Sequence, residues 1–205
     1  LCRFYDTTSG EVLVDGVNVR DMDLYNLRDN IGMAMQDVFL FSDTIEGNIA
    51  YGRPNCSFEE VKQAAIMADA NHFIQALPDG YDTIVGERGV GLSGGQKQRI
   101  SLARALLKDP SILILDDTTS AVDMETESYI QSQLKKLDNK CTIFVIAYRI
   151  SSIRDADLIL VMDNGRIIEQ GTHEQLVEAG GYYATAFHNQ YGEIPQEILN
   201  GKGEK

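Results

Sequence analysis

Two adjacent carboxylates follow an apolar run near the middle of the chain, and this arrangement is suited to phosphate chemistry. Four apolar residues, Ile112–Leu115, run directly into Asp116 and Asp117. Such a run is typical of a buried strand, and the end of a strand can present carboxylates to a metal ion that is itself bound to phosphate. Asp117 has a second interpretation, because an aspartate after a strand can simply begin an exposed turn.

A second candidate is the stretch GLSGGQKQR, residues 91–99, which predicts a helix that begins with a serine and two glycines. The first N–H groups of a helix lack intrahelical partners and the helix dipole is positive there, so this end favours phosphate. Gly94 and Gly95 would let an anion approach the bare backbone, while Ser93 and Gln96 would offer polar tips. In the other interpretation, Ser93 and Gln96 are only a capping box. The double glycine favours phosphate, because each glycine costs a helix about 1 kcal/mol relative to alanine.

The composition argues against several other kinds of site. The chain has 205 residues, 43% of them hydrophobic, which is enough for one substantial domain and short for two. A net charge of -13 argues against nucleic acid as a partner, because a nucleic-acid binder needs a basic face. Cys2, Cys56 and Cys141 share no CxxC spacing, which predicts neither a zinc site nor a disulfide framework and fits a reducing cytoplasm. The longest apolar runs have strand length and fall short of the ~20 residues of a membrane span.

Turn residues and capping patterns place the first half of the chain on short strands and helices. Alternating residues around Asp15 and Gly16 predict a hairpin. A short apolar strand ends at Gln36, and a short helix closed by Gly52 follows it. A capping box at Ser57 then begins a longer helix.

The second half continues this alternation. The helix after Ser93 ends before Pro110, and the apolar run that reaches Asp116 is predicted to be a strand covered on both faces. Asp123 can cap the next helix, and TIFVIAY, residues 142–148, gives another buried strand. Buried strands that alternate with amphipathic helices predict a layered α/β fold with a mainly parallel sheet.

The C-terminal part is predicted to be a hairpin followed by two short helices. The hairpin turns at Asn164 and Gly165, and the helices extend from His173 to about Gln190. His173, like the other two histidines, has no metal-ligand spacing and is predicted to lie on the solvated surface. A polar tail occupies residues 192–205.

Taken in order, these motifs resemble the ATP-binding cassette (ABC) domain. LSGGQ at 92–96, followed by QR, resembles the signature motif, LILDD at 113–117 the Walker B strand, and SAVD at 120–123 the D-loop. AMQDVFLF at 34–41 resembles the Q-loop, and VGERGVG at 85–91 resembles the X-loop of exporter-type members. The resemblance implies a P-loop-type ATPase core that uses ATP and Mg²⁺.

The resemblance extends from about Phe4 to Tyr191. It implies one ABC nucleotide-binding domain over 1–191, with a helical subdomain at about 43–107 that carries the signature motif. The GxxxxGK[ST] phosphate loop, which the family places just before RFYDTTSGEV, is not in the sequence. We therefore expect a fragment that begins after this loop and lacks the first strands. Alone, it should bind ATP weakly and hydrolyse little of it.

The resemblance also implies roles for three polar residues. Asp116 would hold Mg²⁺, and Gln36 would contact Mg²⁺ and the attacking water, although a glutamine after a strand is otherwise a polar loop residue. The position of Asp117 usually carries a glutamate that polarises this water. Aspartate is one methylene shorter, and a misplacement of about 1 Å can cost roughly 10²-fold in rate.

Tyr148 stands where exporters usually have a histidine. A tyrosine can donate a hydrogen bond to a phosphate oxygen, but its ordinary pKa near 10 prevents it from shuttling a proton as imidazole does. It can also be a plain strand-end aromatic. Together with Asp117 it predicts a site that binds nucleotide and hydrolyses it slowly. Asp123 is a D-loop residue facing the partner, a helix cap, or both.

Three functions fit these observations. The leading one is the nucleotide-binding domain of an ABC exporter, at the cytoplasmic face of the membrane and joined to a transmembrane domain. A soluble ABC ATPase acting on DNA or ribosomes is disfavoured by the acidic charge, and a non-catalytic regulatory remnant is favoured only by the missing loop and the two substitutions. ABC domains meet head to tail, so an intact signature beside altered Asp117 and Tyr148 predicts a heterodimer with a second, non-identical ABC subunit.

Overall fold

The structure is a computed structural model that describes residues 1–86, 89, 91–137 and 140–192. Part of the predicted X-loop and residues 193–205 of the polar tail lie outside the described residues. The chain divides into two compact units, residues 1–146 and 147–205. The prediction of a single ABC domain over 1–191 stays a prediction.

The first unit alternates short strands with helices. In chain order its elements are β1 (Leu13–Val14), β2 (Val17–Asn18), α1 (Leu24–Asp29), β3 (Ile31–Ala34), β4 (Asp43–Thr44), α2 (Ile45–Ala50), α3 (Phe58–Met67), α4 (Asn71–Gln75), β5 (Ile84–Val85), α5 (Gly94–Leu107), β6 (Ile112–Asp116), α6 (Met124–Leu134) and β7 (Thr142–Ile146). The predicted α/β class is therefore confirmed.

A three-stranded parallel sheet carries the candidate carboxylates. Its order is β3-β6-β7, with Met33 opposite Ile114 and Leu115 opposite Val145. Because the carboxyl ends of parallel strands meet at one edge of a sheet, the residues that follow β3 and β6 lie close together. Two small antiparallel ladders, β1-β2 and β4-β5, complete the pairing of the described residues in this unit.

Helix α5 is central to the hydrophobic core of this unit. It begins after a capping box at Ser93 and packs on α2, α3 and β3. Four residues on its apolar face are all buried: Ile100, Ala103, Leu106 and Leu107. Helix α3 also begins after the predicted capping box, in which Ser57 and Glu60 bond each other's backbone N–H. Both helix starts were predictable because they depend on residues three positions apart.

The strand at TIFVIAY differs from its prediction. It ends at Ile146 rather than Tyr148, and it is not buried: the exposed fractions of Phe144, Val145 and Ile146 are 41%, 38% and 54%. Among the described residues β7 pairs with β6 alone, and α5 packs on β3 and β6 instead. An apolar run shows that a strand is suited to burial, but burial also requires an element that packs on it.

Two smaller predictions need correction, and one helix was missed. Strand β3 ends at Ala34, two residues before Gln36. Helix α1 was not predicted, although Asp23 caps it through a hydrogen bond from the N–H of Asn26. Gly52 does not close α2 with a left-handed turn; a Cβ at this position would lie 2.8 Å from the carbonyl oxygen of Arg104, so close packing requires the glycine.

The second unit is a hairpin followed by two helices, as predicted. Its elements are β8 (Ile159–Asp163), β9 (Arg166–Gly171), α7 (His173–Ala179) and α8 (Tyr182–Tyr191). Asn164 and Gly165 at the turn have φ of 46° and 74°, the left-handed values that an Asn-Gly hairpin turn requires.

The side chain of His173 corrects the surface prediction for this residue. It is 6% exposed, its Nδ1 lies 2.8 Å from the hydroxyl of Tyr183, and its ring packs edge-on against Phe187. It belongs to the apolar core of the second unit.

Candidate active site

The edge of the sheet brings a glutamine and a carboxylate together. Asp116 is the last residue of β6, and Asp117 follows it with its N–H donated to the carbonyl oxygen of Ile146 at 2.8 Å. Gln36 follows β3, and its Nε2 lies 3.5 Å from Oδ2 of Asp117, at the outer limit of a hydrogen bond. Both aspartates are half-buried, and Gln36 is exposed. The catalytic roles of these residues stay predictions.

Asp117 also starts a turn. Its φ is 49°, a left-handed value in which aspartate and asparagine are enriched among non-glycine residues. Its carbonyl oxygen accepts hydrogen bonds from Ser120 Oγ at 3.0 Å and from Gln98 Nε2 at 3.3 Å. The turn interpretation of Asp117 therefore has a structural basis, and it leaves the carboxylate free to face Gln36.

The donor set at this edge suits Mg²⁺ bound with a nucleotide. Among the described residues, no group of three or more histidines, cysteines, aspartates and glutamates could hold a metal ion by itself. Mg²⁺ is commonly held by one or two carboxylates together with substrate phosphates and water. Asp116, Asp117 and the amide oxygen of Gln36 supply hard oxygen donors of this kind. These residues thus fit the ion that the resemblance implies.

The start of α5 contains the predicted capping box. The N–H of Ser93 donates to Gln96 Oε1 at 2.9 Å, and the N–H of Gln96 donates to Ser93 Oγ at 3.3 Å. Ser93 and Gly94 are exposed at this helix end. The cap does not exclude an anion, because a helix start leaves several N–H groups without intrahelical partners and a capping box satisfies two of them.

The two glycines of the signature are not equivalent. A Cβ at Gly95, which is buried, would lie 2.7 Å from the carbonyl oxygen of Ala121 and 3.4 Å from Val122 Cγ1. At Gly94 the nearest atom would be Ala121 Cβ at 3.7 Å, an ordinary contact. Packing against the loop after β6 accounts for Gly95, so the argument from glycine to phosphate rests on Gly94 alone. The sequence did not reveal this difference, because Ala121 is 26 residues away.

A buried polar cluster holds the segment that follows Gln36. Asn48 is fully buried and bonds both backbone groups of Phe41, donating to its oxygen at 3.0 Å and accepting from its N–H at 2.8 Å. Arg104 of α5 donates to the carbonyl oxygens of Asn48 at 2.7 Å and of Phe39 at 3.0 Å. Burial lowers the pKa of the Arg104 guanidinium from its usual value. Neither polar residue was predicted from the sequence, because they lie 56 positions apart.

Asp123 caps α6. Its carboxylate accepts hydrogen bonds from the N–H of Thr126 at 2.9 Å and from the hydroxyl of Thr126 at 3.1 Å. These bonds hold the pKa of Asp123 below its usual value. The capping role is confirmed, and a contact with a partner stays a prediction.

Tyr148 belongs to the second unit. Its side chain is 74% exposed, and its carbonyl oxygen accepts a hydrogen bond from Gln190 Nε2 at 2.7 Å. Its predicted place beside the nucleotide phosphates stays a prediction.

Comparison with known proteins places this geometry in a family. The ABC transporter family matches residues 1–120. The chain is 55% identical over 95% of its length to an uncharacterized ABC transporter ATP-binding protein, YknU, of Bacillus subtilis (strain 168). It is 54% identical over 90% of its length to YgaD, a putative multidrug export ATP-binding/permease protein of the same organism. The chain covers 33% and 32% of these relatives, about a third of their length.

A solved structure resembles the fold closely. It is that of a bacterial Atm1-family ABC exporter with ATP bound, with a TM-score of 0.91 and 47% sequence identity over 94% of this chain and 34% of that one. No helix among the described residues is long and apolar enough to cross a membrane. The family match over more than half of the chain, together with these relatives, shows that the chain belongs to the ABC transporter family and represents part of its nucleotide-binding domain.

Proposed function

We propose that this chain is the ATP-binding and ATP-hydrolysing part of an ABC exporter and couples the use of ATP to transport across a membrane. The observation that carries the proposal is the 47% identity, over 94% of the chain, to an exporter whose structure contains ATP. The name of the relative YgaD, an ATP-binding/permease protein, supports a transmembrane domain as the partner. The chain would then lie at the cytoplasmic face of the membrane.

Each element of the candidate site has a role in this proposal. Asp116 and Gln36 hold Mg²⁺, which neutralises charge on the nucleotide phosphates when bound. Asp117 accepts a hydrogen bond from the attacking water and so polarises it. The start of α5 serves a different nucleotide, one held by the partner subunit, because ABC domains meet head to tail. Its N–H groups and the positive end of its dipole stabilise the γ-phosphate of that nucleotide.

We further propose that the chain's own hydrolytic site is weak and that its partner is a non-identical ABC subunit. Asp117 is shorter than the usual glutamate, and Tyr148 replaces the usual histidine. The start of α5 keeps the full signature, Ser93 to Gln96. A chain with an intact signature but with replacements at Asp117 and Tyr148 suits a heterodimer. In this heterodimer, the signature of this chain completes the productive site of the partner. That partner would carry glutamate and histidine at the corresponding positions.

Two substitutions in the purified full-length complex test this asymmetry. Ser93→Arg, which crowds the helix start, should nearly abolish ATPase activity, whereas Asp117→Asn should reduce it modestly. Ser132→Arg is a matched control, because Ser132 is exposed on α6 and its hydroxyl donates to the carbonyl oxygen of Tyr129 within the same helix. Equal and severe losses from Ser93→Arg and Asp117→Asn would favour two equivalent sites.

A restoring experiment tests the explanation of the two replacements. Asp117→Glu combined with Tyr148→His should raise turnover at the chain's own site. The glutamate extends one methylene further toward the attacking water, and the histidine titrates near neutral pH. Single-site turnover that does not respond to the double substitution would remove this explanation.

The 205-residue chain alone should bind Mg-ATP only weakly, since its sequence has no GxxxxGK[ST] loop, and calorimetry that finds micromolar affinity would contradict this expectation.

A further inference from the structure

The side chain of Gln98 connects α5 to the loop that follows the catalytic strand. Gln98 is 7% exposed, and both ends of its amide are used. Its Nε2 donates to the carbonyl oxygen of Asp117 at 3.3 Å and to Ser120 Oγ at 3.2 Å. Its Oε1 accepts the N–H of Ala121 at 3.2 Å. One buried side chain therefore contacts the first residue of the loop 117–122 and two residues near its end.

The loop 117–122 and the start of α5 also pack against each other directly. The carbonyl oxygen of Ala121 lies so close to Gly95 that no Cβ fits between them, and Val122 packs on the same glycine. A second internal bond closes the loop, because Ser120 Oγ donates to the carbonyl oxygen of Asp117 at 3.0 Å. Loop and helix start therefore form one packed structure in which Gln98 supplies the polar contacts and Gly95 the close approach.

Buried polar contacts of this kind are suited to fixing a position. Burial makes an unpaired amide costly, so a shift of the loop that breaks the bonds of Gln98 leaves polar groups unsatisfied. The loop begins with Asp117 at a left-handed φ, and the direction of its carboxylate depends on where this turn is held. A displacement of about 1 Å at a reacting group can cost roughly 10²-fold in rate.

We propose that Gln98 is a positioning residue that fixes the loop 117–122 to the start of α5. This contact fixes the position of the Asp117 carboxylate, which serves the chain's own nucleotide, relative to the start of α5, which serves the partner's nucleotide. Gln98 is buried, and both ends of its amide bond the loop. This role rests on the proposed function for its effect on turnover, but the contact between Gln98 and the loop can be tested without it.

Two substitutions at Gln98 separate its contacts. Gln98→Met keeps the length of the side chain and removes both polar ends. Gln98→Glu keeps an acceptor for the N–H of Ala121 and removes the donor to Asp117. Gln63→Met is the matched control, because Gln63 is exposed on α3 and its amide bonds only Glu59 of the same helix among the described contacts.

The first measurement is amide hydrogen exchange at Ala121 in the full-length exporter. Gln98→Met should accelerate exchange of this amide about tenfold or more, Gln98→Glu should retain most of its protection, and Gln63→Met should leave it unchanged. Unchanged exchange in Gln98→Met would overturn the proposal, because the side chain would then not hold the loop.

The second measurement is the ATPase rate as a function of ATP concentration, well below the unfolding temperature of each variant. Gln98→Met should lower kcat more than tenfold, because it loosens the packing of the loop on the start of α5, which serves the partner's productive site; the effect through Asp117 alone is modest. KM should change less than twofold, since the phosphate loop provides most of the nucleotide affinity. Gln98→Glu should give an intermediate kcat. Faster exchange at Ala121 with a kcat within twofold of wild type would also overturn the positioning role. A wild-type exporter without ATPase activity would remove the proposed function instead, while the exchange at Ala121 would still decide whether Gln98 holds the loop.

Discussion

Alanine at Gly95 should leave the protein less stable than alanine at Gly94, although the two residues are neighbours in one helical turn. Both substitutions gain helix propensity, at most about 1 kcal/mol each. Only Gly95→Ala meets a clash, because its Cβ would lie 2.7 Å from the carbonyl oxygen of Ala121, which is backbone and cannot rotate away. Overpacking of this kind typically costs ~1–3 kcal/mol. Since the propensity gain is common to both variants, the difference between them isolates the overpacking cost.

Urea unfolding measures this difference directly. We expect Gly94→Ala to be as stable as wild type or up to about 1 kcal/mol more stable, and Gly95→Ala to be ~1–3 kcal/mol less stable than Gly94→Ala. Equal midpoints for the two variants, with equal slopes, would refute the packing argument for Gly95.

ATPase activity of the full-length protein then tests the anion argument for Gly94. Gly94 is exposed and an added Cβ meets no atom closer than 3.7 Å, so loss of activity in a fully stable Gly94→Ala cannot come from misfolding. We expect this variant to lose most of its activity, because a methyl group occupies the space that a phosphate needs. Full activity in Gly94→Ala would mean that the start of α5 is only a capping box.

Three further predictions concern stability. Arg99→Met should cost about 2 kcal/mol, because Arg99 Nη1 donates to the carbonyl oxygen of Asp69 at 2.8 Å and to its carboxylate at 3.1 Å in a half-buried pair, and denaturant unfolding measures this loss. Tyr183→Phe should cost ~1–3 kcal/mol in the same assay, since it leaves Nδ1 of buried His173 without its hydrogen-bond partner. The lowered pKa of Asp123 stabilises the fold above the ordinary carboxyl pKa of about 3.9, and this stabilisation is lost as pH falls through the lowered pKa. The stability advantage of wild type over Asp123→Asn should therefore shrink as pH falls below about 3.9.

Matched controls exist for two of these changes. Arg53→Met removes an exposed pair with Glu60 and should cost less than about 1 kcal/mol. Tyr182→Phe changes a residue that is 66% exposed and should change stability by less than about 0.5 kcal/mol. A cost for Arg99→Met no larger than that for Arg53→Met would contradict the value assigned to the half-buried pair of Arg99 and Asp69. Likewise, equal effects at Tyr182 and Tyr183 would contradict the importance of the His173 hydrogen bond, and a pH-independent difference for Asp123→Asn would contradict its lowered pKa.

The features that the sequence predicted well depend on residues close together in the chain. The capping boxes at Ser57 and Ser93 need partners three positions away, and the hairpin turn at Asn164 needs only the glycine that follows it. Gln36 and Asp117 are 81 positions apart, and only the resemblance to the ABC domain placed them in one site. The parallel sheet explains this proximity, because its strands bring their carboxyl ends to the same edge.

The features that the sequence did not predict depend on distant parts of the chain. The two glycines of the signature are identical in sequence terms, and only the approach of Ala121 distinguishes them. Asn48 and Arg104 have ordinary polar positions in a helical pattern, and only the fold buries Asn48 and brings the half-buried Arg104 onto it. His173 gave no sign of its burial, since the aromatic residues that surround it come from the next helix. In each case the sequence pattern shows which contacts a residue can make, and the residues that pack against it in the fold determine which contacts it makes.

The exposed strand β7 determines how a solution of this 205-residue chain should behave. Phe144, Val145 and Ile146 lie on a strand that pairs on one side only among the described residues, so apolar side chains accompany unpaired backbone groups. The run TIFVI has no charge, no proline and no glycine to discourage pairing with a second chain. Self-association through this strand would grow with protein concentration, and the net charge of -13 would oppose it most at low ionic strength. Salt should therefore promote aggregation of this chain, and a single lysine within the strand should keep it soluble.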